Sequence, residues 1–320
     1  MNSIMIVGLT ALQKVYAYTP WSRKLSRPES LNDPDEVAEI IQQKLLDDSP
    51  CMIARFGANE LATLVNWLGI SEHRNRYLSF IKNESPAWWW NQNIISKMHE
   101  GAGFFPVETD SLEKFCHLMM EDMPLVDVLG SWLPGEHYFK RELKDAVRVQ
   151  LLTLDPYWSQ IPWTKALAGK KVLVIHPFTE TIQKQYKKRE LLFENELLPE
   201  FELLTIRAVQ SIAGTKTPFS DWFEALNYMK RKIDETDFDV CIIGAGAYGF
   251  PLAAHVKRLG KKSFHIGGSL QLLFGIRGKR WEQGYHDVYD YAGLVNQHWV
   301  SPGSEEKPAN ADVVEGGCYW

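Results

Sequence analysis

The second half of the chain alternates short apolar runs with longer amphipathic ones. The runs at 171–176, 201–206 and 239–243 are mostly apolar, and the shorter run at 263–266 keeps Phe264 and Ile266 between Ser263 and His265. Continuous apolar runs of this length read as strands buried on both faces. Between them, 179–196, 220–236 and 248–259 carry helical periodicity, and a short helix starts at Leu270. Strands alternating with helices predict an α/β, Rossmann-like fold: a mostly parallel sheet with helices on both faces.

The first half is less regular. Asp33 reads as an N-cap, with Pro34 opening a helix, Asp35 and Glu36 in its first turn, and Val37, Ile40, Ile41 and Leu45 on its apolar face. Residues 51–56 read as a buried strand that Gly57 ends, and 60–65 as the next helix. Residues 71–135 form a mostly helical insertion rich in Trp and Met, with a weaker strand at 126–130. Residues 161–170 read as a helix leading into the second half. The expected organisation is an N-terminal α/β region at 1–165, a nucleotide-binding half at 166–300 and a tail at 301–320. Pro, Gly, Ser, Glu and Lys make 301–310 read as mobile. The aromatic ending, Tyr319 and Trp320, reads as docked back on the fold, because exposed rings forfeit hydrophobic stabilisation.

Composition narrows the classes. With 320 residues the chain can bury a full core without staples. Its 45% hydrophobic and 23% charged residues exclude a disordered or fibrous chain. The net charge of −5 gives no whole-chain footprint for nucleic acid. Cys51, Cys116, Cys241 and Cys318 form no pair at metal spacing, and a reducing, cytoplasmic compartment is expected. The apolar stretch 4–12 is too short to span a bilayer and lacks the marks of a secretory signal. It leaves room for peripheral association with the inner face of a membrane.

A parallel sheet binds ligands beyond the carboxyl ends of its strands, so polar residues that follow a strand are the better site candidates. Gly244, Gly246 and Gly249 form a GxGxxG between a strand and a helix. Such glycines allow close backbone approach to a phosphate. The position where a dinucleotide site needs a ribose-binding acid is His265, so a phosphate loop is expected without that clamp. Arg277, Lys279 and Arg280, in a glycine-flanked loop, suit a diphosphate. His176 follows a strand, and Thr179 reads as an N-cap beside it. Glu60 follows the 51–56 strand. The triplets at 33–35 and 237–239 fail as metal-binding Asp-x-Asp motifs: the first caps a helix, and the second precedes its strand. Trp88, Trp89, Trp90 and Trp132 suit either sugar stacking or core. No GxSxG, Walker A or HExxH motif occurs.

The segment Ile53, Ala54, Arg55, Phe56, Gly57, Ala58, Asn59, Glu60, Leu61 resembles the RFGDGE segment of the GT-D-type bacterial glycosyltransferases. Ile242 to Gly246, Leu259–Gly260 and Ile266 to Gly268 resemble their second signature. The ending from His298 to Trp320 is similar to tails of surface-polysaccharide relatives. The resemblance implies transfer of a sugar from a nucleotide donor of the UDP series to a glycan or lipid-linked glycan acceptor. Taken with the residue reading above, it points to Arg55 and Glu60 as catalytic residues, with Gly57, His176, Thr179, the glycine loop and the basic loop expected to hold the nucleotide sugar. In the family an Asp-x-Glu holds Mn²⁺ or Mg²⁺; here Ala58 replaces the Asp and Glu60 alone remains. Two other readings stand beside this one: an NAD(P)-binding oxidoreductase, from the GxGxxG, and a non-catalytic partner in a polysaccharide-synthesis complex, from the missing Asp.

Overall fold

The computed structural model describes residues 2–320 other than 23–24, 73–75, 195, 285–287, 309–316 and 318. One sheet holds β1 (Cys51–Arg55), β2 (Val128–Ser131), β3 (Val147–Gln150), β4 (Lys171–His176), β5 (Glu202–Arg207), β6 (Val240–Ile243) and β7 (Lys262–His265). Their spatial order is β3-β2-β1-β7-β6-β4-β5, and every pair is parallel. The Rossmann-like α/β expectation is met. The two halves of the sequence share this sheet, joined where β1 pairs with β7 at Ile53 and Phe264.

Twelve α-helices accompany the sheet among the described residues: α1 (Ser3–Ala17), α2 (Pro34–Leu46), α3 (Ala58–Ser71), α4 (Tyr77–Ile81), α5 (Gln92–Glu100), α6 (Thr109–Asp122), α7 (Thr179–Tyr186), α8 (Arg189–Leu192), α9 (Trp222–Asp234), α10 (Gly249–Arg258), α11 (Leu270–Leu273) and α12 (Lys279–Gly284). Strand pleating splits the apolar runs between two cores. Met52, Ala54, Leu173, Ile175, Cys241 and Ile243 face a layer built from α3, α5, α6, α9 and α10. Cys51, Ile53, Val172, Val174, Val240 and Ile242 face α2, α7, α8 and α11. This two-sided burial explains why the strands read as unbroken apolar runs. Asp33 caps α2 as expected, its Oδ1 accepting from the Asp35 N–H at 2.9 Å.

Several expectations need correction. The 179–196 helix breaks after Tyr186, and 161–170 holds only a short 3-10 turn at Trp163–Leu167. Strand β3 was not expected. It is an edge strand, stitched to Leu31 by the Leu31 N–H to Arg148 O and the Gln150 N–H to Leu31 O. The 301–310 stretch is not loose over its described part, since Glu306 is buried. No helix among the described residues is long and apolar enough to cross a membrane.

From β4 the chain passes outward to β5, whereas from β6 it passes to β7 on the other side. The β4–β6 seam is therefore the topological switch point, where a doubly wound sheet opens a crevice beyond its carboxyl ends. His176 closes β4 there and Gly244 follows β6, with the Gly244 N–H donating to Ile175 O at 2.9 Å.

Candidate functional site

A cleft of about 380 Å³ lies at that seam. Its walls come from the ends of β1, β4, β6 and β7 and from the loop after β5. It brings together Arg55, Gly57, Glu60, His176, Gly244, Gly246 and Arg280 of the residues singled out in the sequence. Gly246 has φ +53°, and a Cβ there would meet no neighbour. The backbone at this point is therefore left-handed and open to a ligand.

Arg55 is the central cation. It extends from the end of β1 across Trp132, with its guanidinium carbon 5.4 Å from the ring centroid. Trp132 is itself fixed, its Nε1–H donating to Phe56 O at 3.0 Å and its backbone N–H to Glu136 at 2.9 Å. Gly267, with φ +81°, turns its backbone beside the Arg55 side chain, where a Cβ would only touch the Cδ at 3.4 Å. The Arg55 Nε is buried without a hydrogen-bond partner, and no carboxylate pairs with the side chain among the described residues. A buried donor left unpartnered on a cation is costly unless an anion completes it. Arg280 lies across the cleft, donating to the Tyr319 hydroxyl at 2.8 Å and sitting 4.6 Å from that ring's centroid.

Two histidines are buried in the walls. Burial pushes His176 down to about 3, so it is neutral. Its Nδ1 accepts from the Phe178 N–H at 3.0 Å, which places the ring proton on Nε2. His265 is also held neutral, near 3, by burial first and by the Arg55 charge second. Its Nδ1 lies 3.2 Å from Ile243 O, so that nitrogen carries the proton. Both rings are neutral donors of fixed tautomer rather than titrating groups at neutral pH.

Glu60 stands in the first turn of α3, and its carboxylate curls over Gly57, where any Cβ would collide with it. Burial pushes the Glu60 carboxyl above its ordinary value, opposed by its own backbone N–H and by Arg55. Glu60 supplies the one side-chain carboxylate in the cleft lining among the described residues. Divalent Mn²⁺ or Mg²⁺ takes several oxygen ligands. A lone carboxylate beside a guanidinium, with Ala58 offering no side-chain oxygen, does not fit such an ion.

Four expected site residues fall elsewhere. Thr179 is the first residue of α7 and not its cap, a position held by Phe178. The N-terminus of α7 is already filled: Glu306 accepts from the Glu180 N–H at 2.7 Å and from the Thr181 N–H and hydroxyl. A phosphate is thereby excluded from that helix end. Gly249 serves packing, since a Cβ there would run into the His265 ring. Arg277 turns outward into a two-point ion pair with Glu282, at 3.0 and 2.6 Å. Lys279 is exposed at the start of α12 and does not line the cleft. The basic loop thus contributes Arg280 alone.

Sequence reasoning missed Gln271 and Ser211. The Gln271 Nε2 donates to Arg277 O at 2.7 Å and Tyr319 O at 3.1 Å, which fixes the amide and leaves its buried Oε1 without a partner. Ser211 bonds Gly103 O at 2.6 Å and the Tyr248 hydroxyl at 3.0 Å, tying the loop after β5 to the glycine loop. An isolated Gln or Ser in an apolar run carries no spacing signal. The docked ending is borne out for Tyr319 and Trp320, which line the cleft; residues 309–316 and 318 of the tail lie outside the described residues. Comparison with family models, with curated proteins and with solved structures finds no match to this chain.

Proposed function

We propose that this protein is a glycosyltransferase that uses a nucleotide-sugar donor. The observation that carries the reading is Arg55: a half-buried side chain with a buried, unpartnered Nε, lining the cleft that opens at the switch point of a parallel sheet, beside glycine-lined backbone. On this reading Arg55 awaits an anion, and a diphosphate supplies one. The resemblance of 53–61 to the GT-D-type segment supports the sugar-transfer chemistry. On this reading the diphosphate lies between Arg55, Arg280, the His176 Nε2–H and the 244–246 backbone. The acceptor hydroxyl attacks the anomeric carbon as the bond to the phosphate oxygen breaks. The electron pair leaves with the nucleoside diphosphate, and the acceptor proton passes to the Glu60 carboxylate, whose raised affinity for a proton suits a base. The two cations and the neutral His176 donor stabilise the charge on the leaving phosphate. No step runs through a metal.

The acceptor class on this reading is a glycan or lipid-linked glycan of a bacterial surface polysaccharide, and the enzyme works in the cytoplasm. Burial of Cys51, Cys116 and Cys241 as free thiols accords with a reducing compartment. An NAD(P) site is less well supported, because His265 stands where a ribose-binding carboxylate would be needed. The test is calorimetric titration with UDP-, GDP- and dTDP-sugars, and with NAD and NADP. Binding of one sugar-nucleotide series, weakened by about tenfold or more in Arg55→Gln as expected for a lost charge-assisted contact, is the expected result. Preference for NAD or NADP, or binding indifferent to Arg55, would overturn the proposal.

A further inference from the structure

Helix α1 is inverted relative to an ordinary surface helix. Two of its polar residues are half-buried: Gln13 donates to Phe80 O of α4 at 3.0 Å, and the Thr10 hydroxyl bonds Ile6 O within the helix, while Lys14 is exposed. Leu9 is its only buried residue. Its outer face shows Ile4, Val7, Leu12 and Val15 to solvent, with Val7 68% exposed. Tyr18 and Trp21, 92% and 76% exposed, extend that face past the helix end. Leu78, on the α4 helix that α1 packs against, adds to it. A contiguous apolar face of this kind marks an interaction surface.

Charge identifies the occupant. Residues 1–28 carry Lys14, Arg23, Lys24 and Arg27 and no Asp or Glu, in a chain whose net charge is −5. An apolar helix face, flanking Tyr and Trp, and a segment whose own charges are all basic, with Lys82 and Glu84 beside Trp21, together match the polar–apolar boundary of an anionic bilayer. A protein partner or a second copy would need none of this charge bias. We infer that α1 lies in the interfacial plane of an anionic lipid bilayer and holds the protein at the membrane surface. This goes beyond the sugar-transfer reading and does not depend on it.

The test is co-sedimentation of the full chain with vesicles of phosphatidylcholine alone and of phosphatidylcholine mixed with phosphatidylglycerol. Binding to the mixed vesicles should exceed binding to the neutral ones by about tenfold or more at low salt, and fall as salt screens the charges. The variant Val7→Glu/Leu12→Glu, altered only at exposed positions, should lose binding by a similar factor with an unchanged circular dichroism spectrum and melting temperature. Ile161→Glu, exposed outside α1, should bind as wild type does. Absence of binding to both vesicle types, or undiminished binding by the double variant, would overturn the inference. So would an α1-dependent dimer in sedimentation equilibrium that ignores vesicles, which would assign the face to a second copy.

Discussion

Glu306 reaches back to Thr181, accepting that residue's hydroxyl and its backbone N–H, and so fills the N-terminus of α7 with a carboxylate from the chain itself. The helix dipole and the unpaired N–H groups of the first turn are satisfied internally. In a doubly wound sheet that helix end, next to the switch point, is a natural phosphate seat. On the proposed reading the anion site is displaced toward Arg55 and the 244–246 loop.

Glu306→Ala should therefore destabilise the fold. It leaves the Glu180 and Thr181 N–H groups without their acceptor in a buried setting, a loss of about 1–3 kcal/mol. Urea denaturation of wild type and variant measures it. Equal midpoints would show that the 304–306 turn is not a structural clasp.

Glu60→Gln should cut sugar transfer by roughly a hundredfold or more, the scale of losing a positioned proton acceptor. Folding should be unaffected, because the amide keeps the size of the group that covers Gly57. Steady-state transfer assays decide the matter, and near-wild-type turnover would remove Glu60 from the mechanism.

The second half of the fold was largely legible because its strands are buried on both faces. Lys171–His176 reads directly as an apolar run, and the glycines after β6 mark the turn that follows. Strand β3 was hidden because Val147 and Val149 alternate with Arg148 and Gln150 at an edge, too briefly to show a period. The site was legible only in part. Arg55, Glu60 and His176 follow strands, and the carboxyl-end rule finds such residues. It cannot find Glu306, which acts on α7 from a distance of 125 residues in sequence. Nor can it tell that Glu282 would draw Arg277 away from the cleft. Side-chain partners remote in sequence decide both cases.

The glycines of the GxGxxG should separate by experiment. Gly249→Ala forces a methyl into the His265 ring, which is itself held to Ile243 O. Overpacking of that kind costs about 1–3 kcal/mol. Gly246→Ala meets no atom and pays only for its positive φ, about 1–2 kcal/mol. Only the Gly246 variant should also weaken nucleotide binding beyond its effect on stability. Paired denaturation and titration curves test the separation, and identical behaviour of the two variants would refute it.

Asp155 should make stability depend on pH. Burial pushes its carboxyl up to about 6, opposed by the Tyr291 hydroxyl and the Arg55 charge. Folding thus favours the protonated form. The contribution is complete below the unfolded pKa of about 4 and is lost as pH rises through the folded value. Asp155→Asn removes the titration. The stability of the variant relative to wild type should rise by on the order of 2–3 kcal/mol between about pH 4 and pH 7. Denaturation curves at several pH values give this difference, and a constant offset would rule the mechanism out.

The position of β1 has a consequence for the nascent chain. The first strand made sits near the middle of the finished sheet, flanked by β2 on one side and β7 on the other. The Ser263 hydroxyl bonds Cys51 O across a separation of 212 residues. Until β7 leaves the ribosome, the strands of the first half show an apolar parallel edge with nothing to pair it. Pairings so distant in sequence form slowly, and open edges invite association with other chains. Synthesis of this protein therefore passes through a long interval in which its first half needs shielding, and truncation before residue 262 should yield an aggregating chain rather than a smaller folded unit.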